Sequence, residues 1–167
     1  GSRSFWDFRR SDVRNYLKKH VIDFLKEYGF GYIKVDYNTN IGLHVDSENG
    51  DGDGLREHLW YVREFFKEMK REIPDLIIEN CASGGHRLEP SMIGVSAVSS
   101  FSDAHETNVI PCIAANLHKL MLPAQELIWA VLHKNEDIER TKYSLAATFL
   151  GRMCLSGEID ELRPDQE

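Results

Sequence analysis

Residues 12–36 read DVRNYLKKHVIDFLKEYGFGYIKVD, and the change of period inside this stretch decides the fold. Val13, Tyr16, Leu17, Val21, Phe24 and Leu25 recur at spacings of three and four. That is one face of a helix over residues 12–28, and Gly29 suits its C-terminal end. The run GYIKVD at 31–36 is then short, β-branched and mostly apolar, the composition of a strand buried in a parallel sheet. Working outward, the polar, glycine-rich stretch 38–54 precedes a second helical pattern over 55–72, in which Leu59, Val62, Phe65, Phe66 and Met69 repeat. Pro74 interrupts the chain. Strands are then expected at 76–80, 95–101, 127–131 (weakly patterned) and 153–155, with helices at 86–92, 113–121 and 135–150. Strand and helix alternating in this way imply parallel βαβ units, which close either as an open doubly wound sheet or as a barrel. No G-x-G-x-x-G follows the first strand, which removes the main support for a dinucleotide-binding sheet. The expected class is α/β, a (β/α)8 TIM barrel.

The bulk numbers narrow the function classes. The chain has 167 residues, 42% hydrophobic and 28% charged, with a formal net charge of -7. This composition supports one packed core, and residues 1–167 are read as a single segment. An acidic chain offers no basic stripe to neutralise phosphates or an anionic membrane, so nucleic acid and lipid are excluded as expected partners and a neutral small molecule such as a sugar fits better. No apolar run approaches the roughly 20 residues of a membrane helix. The opening GSRSFWDFRR lacks the apolar stretch of a signal peptide. Cys81, Cys112 and Cys154 are odd in number and form no C-x-x-C pair, which points to a reducing, cytoplasmic compartment. Gly1-Ser2 without an initiating Met reads as the start of an excerpt from a longer protein.

The chemistry concentrates where strands end and loops begin, the functional rim of a barrel. Asp36 closes the first strand, and an acid there is costly to bury unless something pairs with it or uses it. Lys34, two residues earlier, shares its face of the strand and favours the ionised, nucleophilic carboxylate. The alternative is a structural ion pair. Asp103 follows the third strand in SSFSDAHE, where it is either a second functional acid or a helix N-cap. Two carboxylates on one barrel rim are what retaining glycoside hydrolysis uses: one attacks the anomeric carbon, the other protonates the leaving oxygen and later activates water. Between them stands ENCASGGHR, residues 79–87. Its glycines allow close backbone approach, and Arg87 brings fixed positive charge, unless the segment is a plain turn with Arg87 in solvent.

Weaker signals are weighed against bland readings. The stretch DSENGDGDG at 46–54 lacks the ligand pattern of a calcium loop and reads as a solvated loop. His86, His105 and Asp103 show no zinc spacing. Neither a metal nor a cofactor is expected. Trp60, at helical spacing among apolar neighbours, reads as core rather than as a platform for a sugar, a role also weighed for Trp129.

Taken together, Lys34-Val-Asp36-Tyr-Asn38, Cys81-Ala-Ser-Gly84-Gly-His-Arg87 and Ser102-Asp103 resemble glycoside hydrolase family 36, the α-galactosidases with related α-N-acetylgalactosaminidases and raffinose-type synthases. The order and spacing of all three segments match, and the likeness extends to FWDFRRSDVRNYL at the start. The resemblance implies a partial barrel, about its second half, acting on a galactoside or small oligosaccharide without metal. It implies Asp36 as nucleophile and Asp103 as general acid/base. Lys34 and Asn38 would hydrogen-bond sugar hydroxyls, while Cys81, Gly84 and Arg87 would line or charge the pocket. Two positions depart: Ser100 stands where the family commonly has tryptophan, and Ala104 where it has a second aspartate. These permit another α-linked sugar or transfer to a sugar acceptor, and a non-catalytic barrel fragment is the reading from a different class. The earlier barrel strands that grip the galactose are not in this chain, so alone it is expected to bind sugar weakly. The open sheet edges of a half barrel imply a homo-oligomer.

Overall fold

The computed structural model describes residues 5–39, 41, 45, 47–50, 52–104 and 108–167. The first helical pattern folds as α1 (Ser11–Leu17) and α2 (Asp23–Tyr28), joined by a π-helical turn, Lys18–Ile22. Gly29 ends it in the left-handed region at φ 70°. Phe30 then donates its N–H to the Leu25 carbonyl at 3.0 Å, a closure that an L side chain at position 29 would strain. β1 (Tyr32–Asp36) follows, then α3 (Asp53–Glu72), which buries His58, Val62, Phe65, Phe66 and Met69 along one stripe.

β2 (Ile77–Cys81), α4 (Pro90–Ile93), β3 (Val98–Ser100), α5 (Val109–Leu117), β4 (Glu126–Leu132), α6 (Ile138–Ala147) and β5 (Arg152–Gly157) complete the order. The five strands form one sheet in the sequence β1-β2-β3-β4-β5. The pairings β2·β3, β3·β4 and β4·β5 are parallel, with Glu79 opposite Val98, Ser99 opposite Glu126, and Leu127 opposite Arg152. Each strand is linked to its spatial neighbour through a helix, and the order never reverses. A doubly wound sheet has a reversal, and its ligand site sits there. Steady progression is the winding of a (β/α)8 barrel, of which this is a segment.

The chain divides into two compact units, residues 1–34 with 38–78 and residues 35–37 with 79–167. In the first, Phe8 packs edge-on against Phe65 and His58 at 5.6 and 5.7 Å. Burial there pulls the His58 pKa below its ordinary value, against the opposing pull of Asp7. The second unit centres on Phe101, Ile110, Ala114, Ile128 and Ala147, with Leu88, Ala104, Ile113, Leu117 and Leu150 packed around them.

Two expectations are corrected. The helix at 86–92 shrinks to α4, because Pro90 holds Glu89 extended at ψ 151° and the Glu89 carboxylate caps the new start by accepting from the Ser91 and Met92 N–H groups. Trp60 is not core: it lies off the buried stripe of α3, is 46% exposed, and meets Tyr61 edge-on at 4.7 Å. The weakly patterned strand expected at 127–131 does form, as β4, extended by one residue at each end.

Candidate active site

β1 alternates strictly. Tyr32, Lys34 and Asp36 are exposed while Ile33 and Val35 are half-buried, so Lys34 and Asp36 share a face as the two-residue period requires. Asp36 is therefore an exposed carboxylate at the strand's C-terminal end rather than one enclosed by apolar walls. Its Oδ1 accepts the Tyr37 N–H at 2.9 Å. Asn38 lies just past the strand and is exposed. Lys34 and Asn38 fall in the first unit, whereas Asp36, Cys81, Gly84, Arg87 and Asp103 all fall in the second.

The turn of residues 81–87 organises this second group. Cys81 ends β2 at 2% exposure. The chain then reverses through Ser83 and Gly84, both at positive φ (44° and 75°), and the His86 N–H returns to the Ala82 carbonyl at 3.2 Å. Arg87 does not sit in solvent; it is 9% exposed. Its Nη2 donates to the Val35 carbonyl at 3.0 Å and to the Cys81 carbonyl at 3.1 Å. Its guanidinium lies 4.9 Å over the Tyr37 ring. Burial lowers the Arg87 pKa, opposed by Tyr37, Cys81 and Asp36, and burial pushes the Tyr37 phenol up to about 12. The Asn80 amide completes the turn by donating to the Arg87 carbonyl at 2.9 Å.

On the other side the turn meets the segment carrying the second acid. A Cβ built on Gly84 would lie 2.7 Å from the Ser102 Cα and 2.9 Å from the Asp103 N, and one on Gly85 would lie 2.8 Å from the Phe101 carbonyl oxygen. Both glycines are thus required by close backbone packing. Asp103 is exposed. It does not cap α5, whose N-cap is Asn108; the Ser102 hydroxyl instead accepts the Ala104 N–H at 3.0 Å. His105 and Glu106 lie outside the described residues.

Sequence reasoning missed the polar floor beneath the turn. Glu79 and Ser100 are buried at 4% and 1%, and the Ser100 hydroxyl donates to the Glu79 Oε1 at 2.6 Å. The available signal was a Glu-Asn pair inside an apolar strand, which has to find partners when buried. In the acidic loop, Asp46 and Asp51 lie outside the described residues, and the Asp53 carboxylate is taken up by Arg56, Ser47 and Asn49. Among the described residues no group of three His, Cys, Asp or Glu side chains is placed to hold a metal. Within the same residues, no helix is long and apolar enough to cross a membrane.

Sequentially wound parallel strands define a segment of a (β/α)8 barrel, with Asp36 at the end of β1 and Asp103 just beyond β3. The chain belongs to the melibiase family, whose family model matches residues 2–157, and so to the family 36 α-galactosidase group. It is similar to the α-galactosidase AgaA of Geobacillus stearothermophilus, at 22% identity over 135 residues, 72% of this chain and 18% of that protein. The structure of AgaA superposes with a TM-score of 0.78 over 95% of this chain and 23% of that one, at 20% identity. The galactosidase domain of AgaSK, an α-galactosidase-sucrose kinase, gives a TM-score of 0.79 over 96% of this chain and 22% of that one, at 19% identity. The chain thus spans about a fifth of the length of these relatives.

Proposed function

We propose that this chain carries both catalytic carboxylates of a retaining glycoside hydrolase that cleaves terminal α-linked galactose. The observation that carries the reading is the packing of one turn, residues 81–87, against both the end of the Asp36 strand and the backbone of Ser102 and Asp103. Asp36 attacks the anomeric carbon as the glycosidic C–O bond breaks, and Asp103 gives its proton to the leaving oxygen. Water then yields a proton to Asp103 and adds to the anomeric carbon, releasing Asp36 with net retention. Lys34 and Asn38 bind sugar hydroxyls, and Cys81 with the Gly84 backbone lines the pocket. Family membership supports this assignment, as do AgaA variants solved with stachyose and with raffinose, which point to an oligosaccharide substrate. A second reading, action on another α-linked sugar or transfer to a sugar acceptor, rests on Ser100, whose small hydroxyl is committed to Glu79. We further propose that copies of the chain associate through the outer strands of the sheet.

The test is hydrolysis of 4-nitrophenyl α-galactoside by the longest available form of the protein, with an Asp36→Gly variant supplied with azide. Hydrolysis by the native form, and β-galactosyl azide from the variant, are the expected results. A folded native form inert on α-galactoside, α-N-acetylgalactosaminide and α-glucoside would remove hydrolysis and leave the transferase reading to be assayed with a sugar acceptor.

A further inference from the structure

Arg87 is a buried cation whose Nη2 is spent on backbone, on the carbonyl of Val35, which immediately precedes Asp36, and on that of Cys81. Its flat guanidinium also covers the Tyr37 ring, which immediately follows Asp36. The residues on both sides of the proposed nucleophile are therefore held by one side chain. The same side chain fixes the turn that Gly84 presses against Ser102 and Asp103. A charged donor bonded in a low-dielectric interior holds its carbonyl partners strongly. The planar fork can bond and stack at once, which an ammonium cannot do.

From this geometry we infer that Arg87 is a positioning residue: resting on the hydrolase reading above, it sets the separation of Asp36 and Asp103 from behind the pocket and does not touch the sugar. An interaction of this kind acts on the transition state through placement of the reacting groups, and a displacement of about 1 Å costs on the order of a hundredfold in rate. It leaves ground-state sugar binding nearly untouched, because the hydroxyl-binding groups are other residues.

The experiment compares native, Arg87→Lys and Arg87→Ala proteins in the longest available form. The measurements are kcat and KM on 4-nitrophenyl α-galactoside and on an alkyl α-galactoside, and amide hydrogen exchange by mass spectrometry. Arg87→Lys is expected to lose about a hundredfold in kcat on both substrates with KM changed less than threefold. Exchange is expected to quicken at residues 35–39 and 81–87 and stay native elsewhere. Added guanidinium or methylguanidinium is expected to restore part of the rate of Arg87→Ala, which a merely unfolded variant would not allow. A rise in KM with kcat preserved would make Arg87 a substrate ligand and overturn the proposal, as would native rates in Arg87→Lys. If the native protein is inert on every sugar, the hydrolase reading fails separately. Exchange then decides the tether: quickening confined to those two segments upholds it, and unchanged exchange removes it.

Discussion

At the scale of single residues, Gly84 is the sharpest test of how the site is braced. Its φ of 75° disfavours any L side chain, and a methyl group there would drive into the Ser102 and Asp103 backbone at 2.7 and 2.9 Å. Gly84→Ala should therefore cost about 2 kcal/mol or more, the left-handed conformation alone accounting for about 1–2 of it. It should also lower kcat, because the segment that must move carries Asp103. Gly29→Ala is the control. It has a similar φ of 70° but nothing within 4 Å of the added methyl, so it should lose stability and keep its rate. Thermal unfolding and kcat measured on both variants check the pair; equal kcat losses would show that backbone strain in general, not the brace, is responsible. The placement of Asp36 at a strand end and of Asp103 just past another was legible in the sequence, because each follows a strand-like run, whereas the exposure of both carboxylates was not. The contacts of Arg87 were not legible, since its carbonyl partners belong to Val35 and Cys81 and only the three-dimensional path of the turn brings them together.

At the scale of elements, β4 shows what periodicity misses and what burial then implies. It reads weakly as a strand, yet its first residue, Glu126, is fully buried at 0% exposure, with the His118 Nε2 3.1 Å from its Oε2. Burial outweighs the pull of His118 and raises the Glu126 carboxyl to about 7. A carboxyl raised in this way keeps its proton in the folded state while the unfolded chain has already lost it, between its ordinary value of 4.5 and about 7. Stability from Glu126 is therefore full at the acid end of that window and lost as pH rises through it, at no more than about 1.4 kcal/mol per pH unit. Glu126→Gln, neutral at every pH, should match the native protein near pH 5 and exceed it near pH 8 in thermal unfolding. A native protein that gains stability over this range relative to the variant would contradict the assignment. The misread helix at 86–92 has a steric cause instead: polar and apolar residues alternate plausibly there, but a proline at position 90 dictates the conformation of the residue before it. By contrast, the helix-strand succession of α1, α2, β1, α3 and β2 stands in the sequence because period and terminators agree.

At the scale of the whole molecule, the winding that identifies a barrel segment also leaves a difficulty. The sheet ends at β1 and β5, and a barrel's strands normally have no edge because closure pairs every one of them. On β5, Met153 and Leu155 point to one side, as alternate residues do, and are 43% and 49% exposed; Tyr32 on β1 is 46% exposed. Apolar side chains on the outermost strand of a sheet form a surface that another chain can extend. The association proposed above follows from this physics, and a charge placed on the edge should oppose it. Sedimentation velocity on the 167-residue chain over a hundredfold concentration range is expected to show mass-action association. Leu155→Lys should shift the midpoint of that association at least tenfold toward higher concentration while leaving the circular dichroism spectrum unchanged. A chain that stays monomeric throughout would remove the proposal, and association unaffected by Leu155→Lys would move the contact off β5.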